Sequence, residues 1–248
     1  MTRAVLDHVA IGAWSRDDVA ADFTASLGGR EVARFAIPSW AGLQLAFGGG
    51  IRLEILEPVP EPADDFLNRF LERSGVSPHH ATFKVDDIEA ALAHLREVGV
   101  DPVKVDLSSP QWREAFLHPA SGLGTVVQLA QQGGKWESEF EPEPVPAGAV
   151  NAEFLGAELA SDPVMAARIF GQVLGGAARQ VDDGTAYSWD GGGTLFCRPL
   201  AEGMKAGVRA LVFRQTEGSD NALVPGATDL YAGPAKLVKL SPGAPWPG

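Results

Sequence analysis

The chain of 248 residues has a single cysteine, Cys197. A lone thiol excludes an intramolecular disulfide framework and any multi-cysteine zinc site. Cations are scarce beside anions: 20 Lys and Arg against 32 Asp and Glu give a formal net charge of −12 and a pI of about 4.8. So acidic a chain repels nucleic-acid phosphates and anionic membrane surfaces, and neither is an expected partner. No apolar run approaches the ~20 residues that a bilayer span requires. The opening MTRAVLDHVAIGA has one arginine and no apolar stretch followed by a cleavage site, so it does not read as a secretory signal, and the expected compartment is cytoplasmic. Histidine occurs 5 times and never after His118. The rest is ordinary for a globular protein, with 45% apolar and 21% charged residues, enough chain for one large domain or two small ones.

Within the first half a segment recurs. His8 and His80 stand 72 residues apart, and Glu54 and Gln128 stand 74 apart. Each copy therefore places one imidazole and one oxygen donor at matching points. LDHVAIGA reads as a strand, and RDDVAADFTASLGG as a helix with Val19, Phe23 and Leu27 at helical spacing and Gly28-Gly29 as its stop. REVARFAIP, GLQLAFGG and IRLEILEP are three strand candidates. The second copy repeats the order: HHATFKV as strand, DDIEAALAHLREVGV as an amphipathic helix, then DPVKVDL, REAFLHP and LGTVVQLA as strands. FLNRFLERSG reads as a connecting helix between the copies.

Side chains alternate faces along a strand. His8 lies opposite Val9, Glu54 opposite Leu53 and Ile55, His80 opposite Ala81, and Gln128 opposite Val127 and Leu129. All four polar residues can therefore line one surface whose reverse is apolar and suited to packing under helices. Residues 132–150, rich in Gly, Pro and Glu, read as a linker between a first domain over 1–131 and a further segment over 151–248. That last segment again suggests strand, helix and strands, with VLGG at 173–176 echoing SLGG at 26–29, an offset of 147 that sets Leu155 against His8. It reads as a third, degenerate βαβββ-like module without metal ligands and without a partner module, with AKLVKL a weak further strand. Packing on the first half, or a homodimer contact, is its expected role.

LDHVAIGA, RLEILEP, HHATFKVDDIEAALAHLREVGV and FLHPASGLGTVVQL, in this order, resemble the vicinal oxygen chelate superfamily, and most of all its glyoxalase and methylmalonyl-CoA epimerase-like branch. The resemblance covers roughly residues 4–131. It implies an α+β fold in which paired βαβββ modules form an open curled barrel around a divalent metal ion. It implies His8, Glu54, His80 and Gln128 as the metal ligands, with Gln128 standing where the family usually has a glutamate.

The metal could be Zn, Fe, Ni, Co, Mn or Mg; two neutral imidazoles suit zinc, iron, nickel or cobalt best. One carboxylate leaves the ion and its ligands a net charge of +1, favourable to an enolate-like anion. Glutamine coordinates through its carbonyl but accepts no proton at neutral pH, which leaves Glu54 as the catalytic base. The implied activity is that of a lyase or isomerase of glyoxalase or epimerase type, acting on a small carbonyl compound or thioester. The alternatives are a non-catalytic protein of the same fold that sequesters a small molecule, and an extradiol-type dioxygenase. His118 and Trp112 are candidate substrate contacts. Beside these stand plainer readings: His118 as a turn cap, His79 as a shaper of its strand, Trp14, Trp40 and Trp112 as packing residues, Cys197 as core, and the Asp pairs at 17–18 and 86–87 as helix-start charges.

Overall fold

A computed structural model of the chain describes residues 2–48, 51–133, 152–181, 183–216 and 236–241. The expected linker over 132–150 lies, from residue 134 onward, outside these. The first half runs β1 (Ala4–Gly12), α1 (Arg16–Leu27), β2 (Arg30–Ile37), β3 (Trp40–Ala46), β4 (Arg52–Pro58), α2 (Phe66–Ser74), β5 (Ser77–Val85), α3 (Ile88–Glu97), β6 (Lys104–Asp106), β7 (Trp112–Leu117) and β8 (Val126–Gln132). Local chemistry sets the helix bounds. Ser15 caps α1 by accepting from Asp18 N, Asp17 and Asp18 sit in its first turn, and Gly28 ends it at a left-handed φ of 72°. Asp87 caps α3 by accepting from Ala90 N at 3.0 Å. The paired aspartates are thus helix-start residues.

These strands form one open eight-stranded sheet in the order β2-β3-β4-β1-β5-β8-β7-β6. The two βαβββ copies meet where β1 pairs antiparallel with β5. β1 and β4 run parallel, as do β5 and β8, so the four strands with the polar quartet lie side by side at the sheet centre. The fold is α+β. One face of the sheet is apolar: Val9, Ile11, Leu53, Ile55, Ala81, Phe83, Val127 and Leu129 are all buried under Phe23 and Leu27 of α1 and Leu92 and Leu95 of α3. At the opposite face α2 sets Leu67 and Leu71 against Ala10 and Leu56, with Trp40, Phe66 and Phe70 at the margin. The connecting helix therefore covers one end of the polar face.

The second half runs β9 (Ala152–Ser161), α4 (Pro163–Ala166) continued by wider π-type turns over Ala167–Val173, β10 (Ala177–Val181), β11 (Gly184–Ser188), β12 (Thr194–Pro199), β13 (Gly207–Gln215) and β14 (Lys236–Leu240). Its six-stranded sheet has the order β10-β11-β12-β9-β13-β14. This is the order of the first six strands of the other sheet, and the directions agree: β9 is parallel to β12 and antiparallel to β13, and β13 is parallel to β14. The segment is thus one βαβββ copy joined to two strands that occupy the places of β5 and β8. VRALVFRQ and AKLVKL, read from sequence as strand candidates of a copy without a partner module, are these two strands, and the pairing gives their places beside β9.

Irregularities of register fix the equivalence residue by residue. Asp7 is unpaired between Leu6 and His8, and Leu155 is unpaired between Phe154 and Gly156. Opposite them, His79 and Arg209 are the skipped residues. His8 therefore corresponds to Gly156, not to Leu155, because the strands are offset by one residue more than the helix echo. The same register sets Glu54 against Phe196, His80 against Ala210 and Gln128 against Val238.

The two halves share one core. Phe47 and Phe23 of the first half meet Phe213 of the second at centroid distances of 5.1 and 6.0 Å, and Phe83 meets Trp189 at 4.7 Å. Gly48 N donates to Ala152 O at 3.2 Å, Gly48 O accepts from Phe154 N at 3.1 Å, and Asp162 N donates to Gly122 O at 2.9 Å. The second sheet's Phe154, Leu159, Leu195, Cys197 and Leu211 lie in the same buried cluster. Cys197 is thus a core residue, its thiol pushed up to about 12 by burial.

Candidate metal centre

His8, Glu54 and His80 come together on the sheet's polar face, each with one ligand atom within 4.8 Å of the others. Register explains the meeting: Ala10 of β1 is flanked by Glu54 on one side and His80 on the other, and His8 lies two residues back on the same face. With Gln128 the four are only 4–8% exposed. Glu54 Oε2 stands 3.4 Å from His8 Nε2 and 3.7 Å from His80 Nε2. Both imidazole Nε2 atoms are buried without a hydrogen-bond partner. Two partnerless nitrogens facing one carboxylate oxygen fit a divalent cation, which accepts lone pairs where a hydrogen bond is not aligned.

Each of these side chains is anchored from behind. His8 Nδ1 contacts Asp7 Oδ2 at 2.6 Å, and Lys84 Nζ lies 3.4 Å from the other Asp7 oxygen. A proton on Nδ1 leaves the Nε2 lone pair free, the arrangement a metal-ligating histidine needs. His80 Nδ1 meets His79 Nδ1 at 2.8 Å, so the two rings share one proton between these atoms. His79 is itself wedged against Phe66 and Phe70. Glu54 Oε1 accepts from Gln44 Nε2 at 3.0 Å, and Arg52 holds the Gln44 carbonyl at 3.3 Å. One carboxylate oxygen is therefore occupied and the other is presented to both imidazoles.

Charge in the cluster is unevenly held. Burial pushes the His8 imidazole down, but the negative charges of Glu54 and Asp7 and the hydrogen bond His8 donates to Asp7 outweigh it and raise the group to about 10. Burial would likewise raise Asp7, yet His8, Lys84 and Arg52 hold it well below the usual carboxylate range. Burial, then the neighbouring charges of His79 and His8, keep His80 far below its ordinary value, and burial brings His79 down to about 4. The cluster thus holds one protonated imidazole between two carboxylates, beside a pair of neutral ones.

Gln128 is anchored differently. Its Oε1 accepts from the Thr82 hydroxyl at 2.7 Å and its Nε2 donates to Glu114 Oε2 at 2.8 Å. Trp112 Nε1 donates to the same Glu114 oxygen at 2.9 Å, so Trp112 reaches the quartet through Glu114. His118 is exposed and caps the Pro119–Ser121 turn by accepting from Ala120 N. Trp14 is exposed, and Trp40 packs edge-on against Phe35. The partners Asp7, Gln44 and Glu114 were not singled out from sequence. Their only sequence signal is a polar residue beside or across from a ligand, and cross-strand register is needed to read it.

Residues 7–116 match the family model described as Glyoxalase/Bleomycin resistance protein/Dioxygenase superfamily. No curated protein matches the chain. Among solved structures, a hypothetical protein from Bacillus halodurans C-125 is similar at 25% identity, over 54% of this chain and 98% of that one, with a TM-score of 0.48. Methylmalonyl-CoA epimerase from Mycobacterium tuberculosis is similar at 23% identity, over 54% and 91% of the two chains, with a TM-score of 0.47. A methylmalonyl-CoA epimerase in complex with methylmalonyl-CoA and NH4+ is similar at 24% identity, over 52% and 95%, with a TM-score of 0.45. No helix among the described residues is long and apolar enough to cross a membrane.

Proposed function

We propose that this chain, which carries a domain of the Glyoxalase/Bleomycin resistance protein/Dioxygenase superfamily over residues 7–116, is a metal-dependent lyase or isomerase acting on a small carbonyl compound or thioester. His8, Glu54 and His80 would hold the divalent ion, with the Gln128 carbonyl as fourth ligand. The observation that carries this reading is the pair of buried, partnerless Nε2 atoms directed at one oxygen of Glu54. A bound divalent ion would supply Lewis acidity that stabilises negative charge on a substrate oxygen.

The protein's own groups define what else the site can do. Asp7 accepts from His8 Nδ1, so the proton that leaves on metal binding is the one on Nε2. His80 presents its Nε2 lone pair when its own Nδ1 is the donor to His79 Nδ1. Gln44 occupies Glu54 Oε1, so Oε2 is the oxygen left either to ligate or to accept a proton from the substrate carbon. Gln128 is an amide and accepts no proton at neutral pH. One base therefore serves the quartet, which suits a lyase or an isomerase that returns the proton from the group that took it, rather than a two-base epimerase.

The test is proton exchange. Acyl-thioesters and 2-oxoaldehyde hemithioacetals are incubated with the metal-loaded protein in D2O, and deuterium at the α-carbon is followed by NMR. Metal-dependent exchange that disappears in Glu54→Gln, a variant that keeps a ligand oxygen and loses the base, is the expected result. Exchange unaffected by Glu54→Gln would remove Glu54 from its role. A second reading, an extradiol-type dioxygenase, is favoured by the set of two histidines and one carboxylate. Oxygen consumption with catechols, dependent on added ferrous iron and unaccompanied by α-exchange, would select it.

A further inference from the structure

A glutamine can turn either end of its amide toward a cation, and only the carbonyl end can bind one. What decides the orientation of Gln128 is therefore decisive for whether it ligates. Thr82, whose side chain is fully buried against one end of that amide, does not decide it, because a hydroxyl both donates and accepts. Glu114, on the neighbouring strand β7, does: a carboxylate only accepts, and its Oε2 lies 2.8 Å from Gln128 Nε2. The indole N–H of Trp112, which only donates, meets that same oxygen at 2.9 Å and keeps it in place. With the amide nitrogen committed to Glu114, the carbonyl oxygen is turned toward Thr82 on β5, the strand that carries His80 and on which Thr82 lies directly across from His8. One lone pair of that oxygen accepts from Thr82 and the second is left.

We propose that Glu114 is a positioning residue that fixes the amide of Gln128 with its carbonyl toward the metal centre, and so makes a glutamine serve where a carboxylate would need no such control. The proposal rests on the metal-binding reading above. It completes a pattern in the site, in which each ligand has one dedicated partner behind it: Asp7 for His8, Gln44 for Glu54, His79 for His80 and Glu114 for Gln128. It also predicts an interaction that simple packing would not produce. A carboxylate at 128 has no wrong end, and beside Glu114 it would meet a like charge.

The test is a cobalt(II) titration of the whole chain in two backgrounds, read by visible absorption and by affinity. Glu114→Gln in the wild-type background offers Gln128 a partner that both donates and accepts, and should weaken cobalt binding about tenfold, the lower end of losses on removing a partner behind a ligand. It should also alter the cobalt spectrum. In the Gln128→Glu background the same substitution should leave affinity unchanged or raise it, because it removes the facing carboxylate. Melting of the metal-free proteins checks that Glu114→Gln folds; if it does not, Trp112→Phe, which frees Glu114 but keeps its charge, should give a smaller loss in the wild-type background and none with Gln128→Glu. Equal losses in both backgrounds, or no loss in either, overturn the proposal. A wild-type protein that takes up no cobalt defeats the metal reading itself and is told apart from these by that control.

Discussion

The two sheets of this chain have the same strand order and the same two irregularities of register, yet opposite chemistry on one face. Position by position, Asp7 becomes Leu155, His8 becomes Gly156, Gln44 becomes Ala186, Glu54 becomes Phe196, His80 becomes Ala210 and Thr82 becomes Val212. Leu155, Ala186, Phe196 and Val212 form a small apolar cluster of their own. Over Phe196 lies the Arg198 guanidinium, 4.7 Å from the ring, paired with Glu158 at 2.8 Å and with Asp183. The first sheet assembles loose imidazoles and a carboxylate suited to a cation from solution; the second holds a cation that is covalently part of the chain. The lesson is that the backbone arrangement tolerates both, and that the side chains at about six register positions decide which it becomes.

The shared core is the strongest place to break the comparison. Phe213→Ala removes the ring that touches Phe23, Phe47 and Phe154 at once. It should cost about 3–5 kcal/mol. Because the core joins both halves, denaturant unfolding should remain one transition in far- and near-ultraviolet dichroism, shifted to lower midpoint. Two separated transitions would show that the halves are stable independently. Next in size, His80→Ala should reduce divalent-metal affinity by more than about 100-fold, beyond the loss on removing a partner behind a ligand. Melting of the metal-free variant checks that it still folds, since His80 is buried and its Nδ1 meets His79 Nδ1.

Gly156→His tests the other face. A Cβ at that position would lie 1.9 Å from the Thr194 carbonyl oxygen, and the backbone φ of 138° disfavours any side chain. The variant should be destabilised by about 1–3 kcal/mol, and metal stoichiometry should not rise; a second equivalent bound would contradict the structural account. The effect of pH is smaller. His8 holds its proton up to about pH 10 in the metal-free protein, and a ligand nitrogen must give it up. Metal and proton compete, so affinity should fall on acidification, by about tenfold per unit where one proton is exchanged. Affinity that does not vary between pH 6.5 and 8.5 would take His8 out of the ligand set. Least of all, Cys197, with its thiol raised to about 12 by burial, should resist iodoacetamide at pH 8 in the folded protein and react only in denaturant.

Much of this was legible in the sequence because it is written locally. Val19, Phe23 and Leu27 give the helical period of α1, Gly28-Gly29 its end, and strand alternation put His8, Glu54, His80 and Gln128 opposite the apolar face. What was not legible depends on register between distant strands. The echo of SLGG in VLGG set Leu155 against His8, because an unpaired residue in a strand shifts alignment without a mark in composition. The places of β13 and β14 next to β9 likewise follow from pairing, and AKLVKL alone gave only a weak strand. Gln44 and Glu114 are ordinary strand residues until β3 and β7 are laid beside β4 and β8. His79 was read as shaping its strand, whereas its ring also meets the ring nitrogen of His80.

The difference between the two faces reduces to a number that can be counted. The full chain, freed of metal and titrated with cobalt(II) while its visible absorption is followed, should take up one equivalent, with imidazole-type ligand-field bands that vanish in His80→Ala. No uptake, two equivalents, or one equivalent that survives His80→Ala would contradict the assignment of His8, Glu54 and His80 as the metal centre.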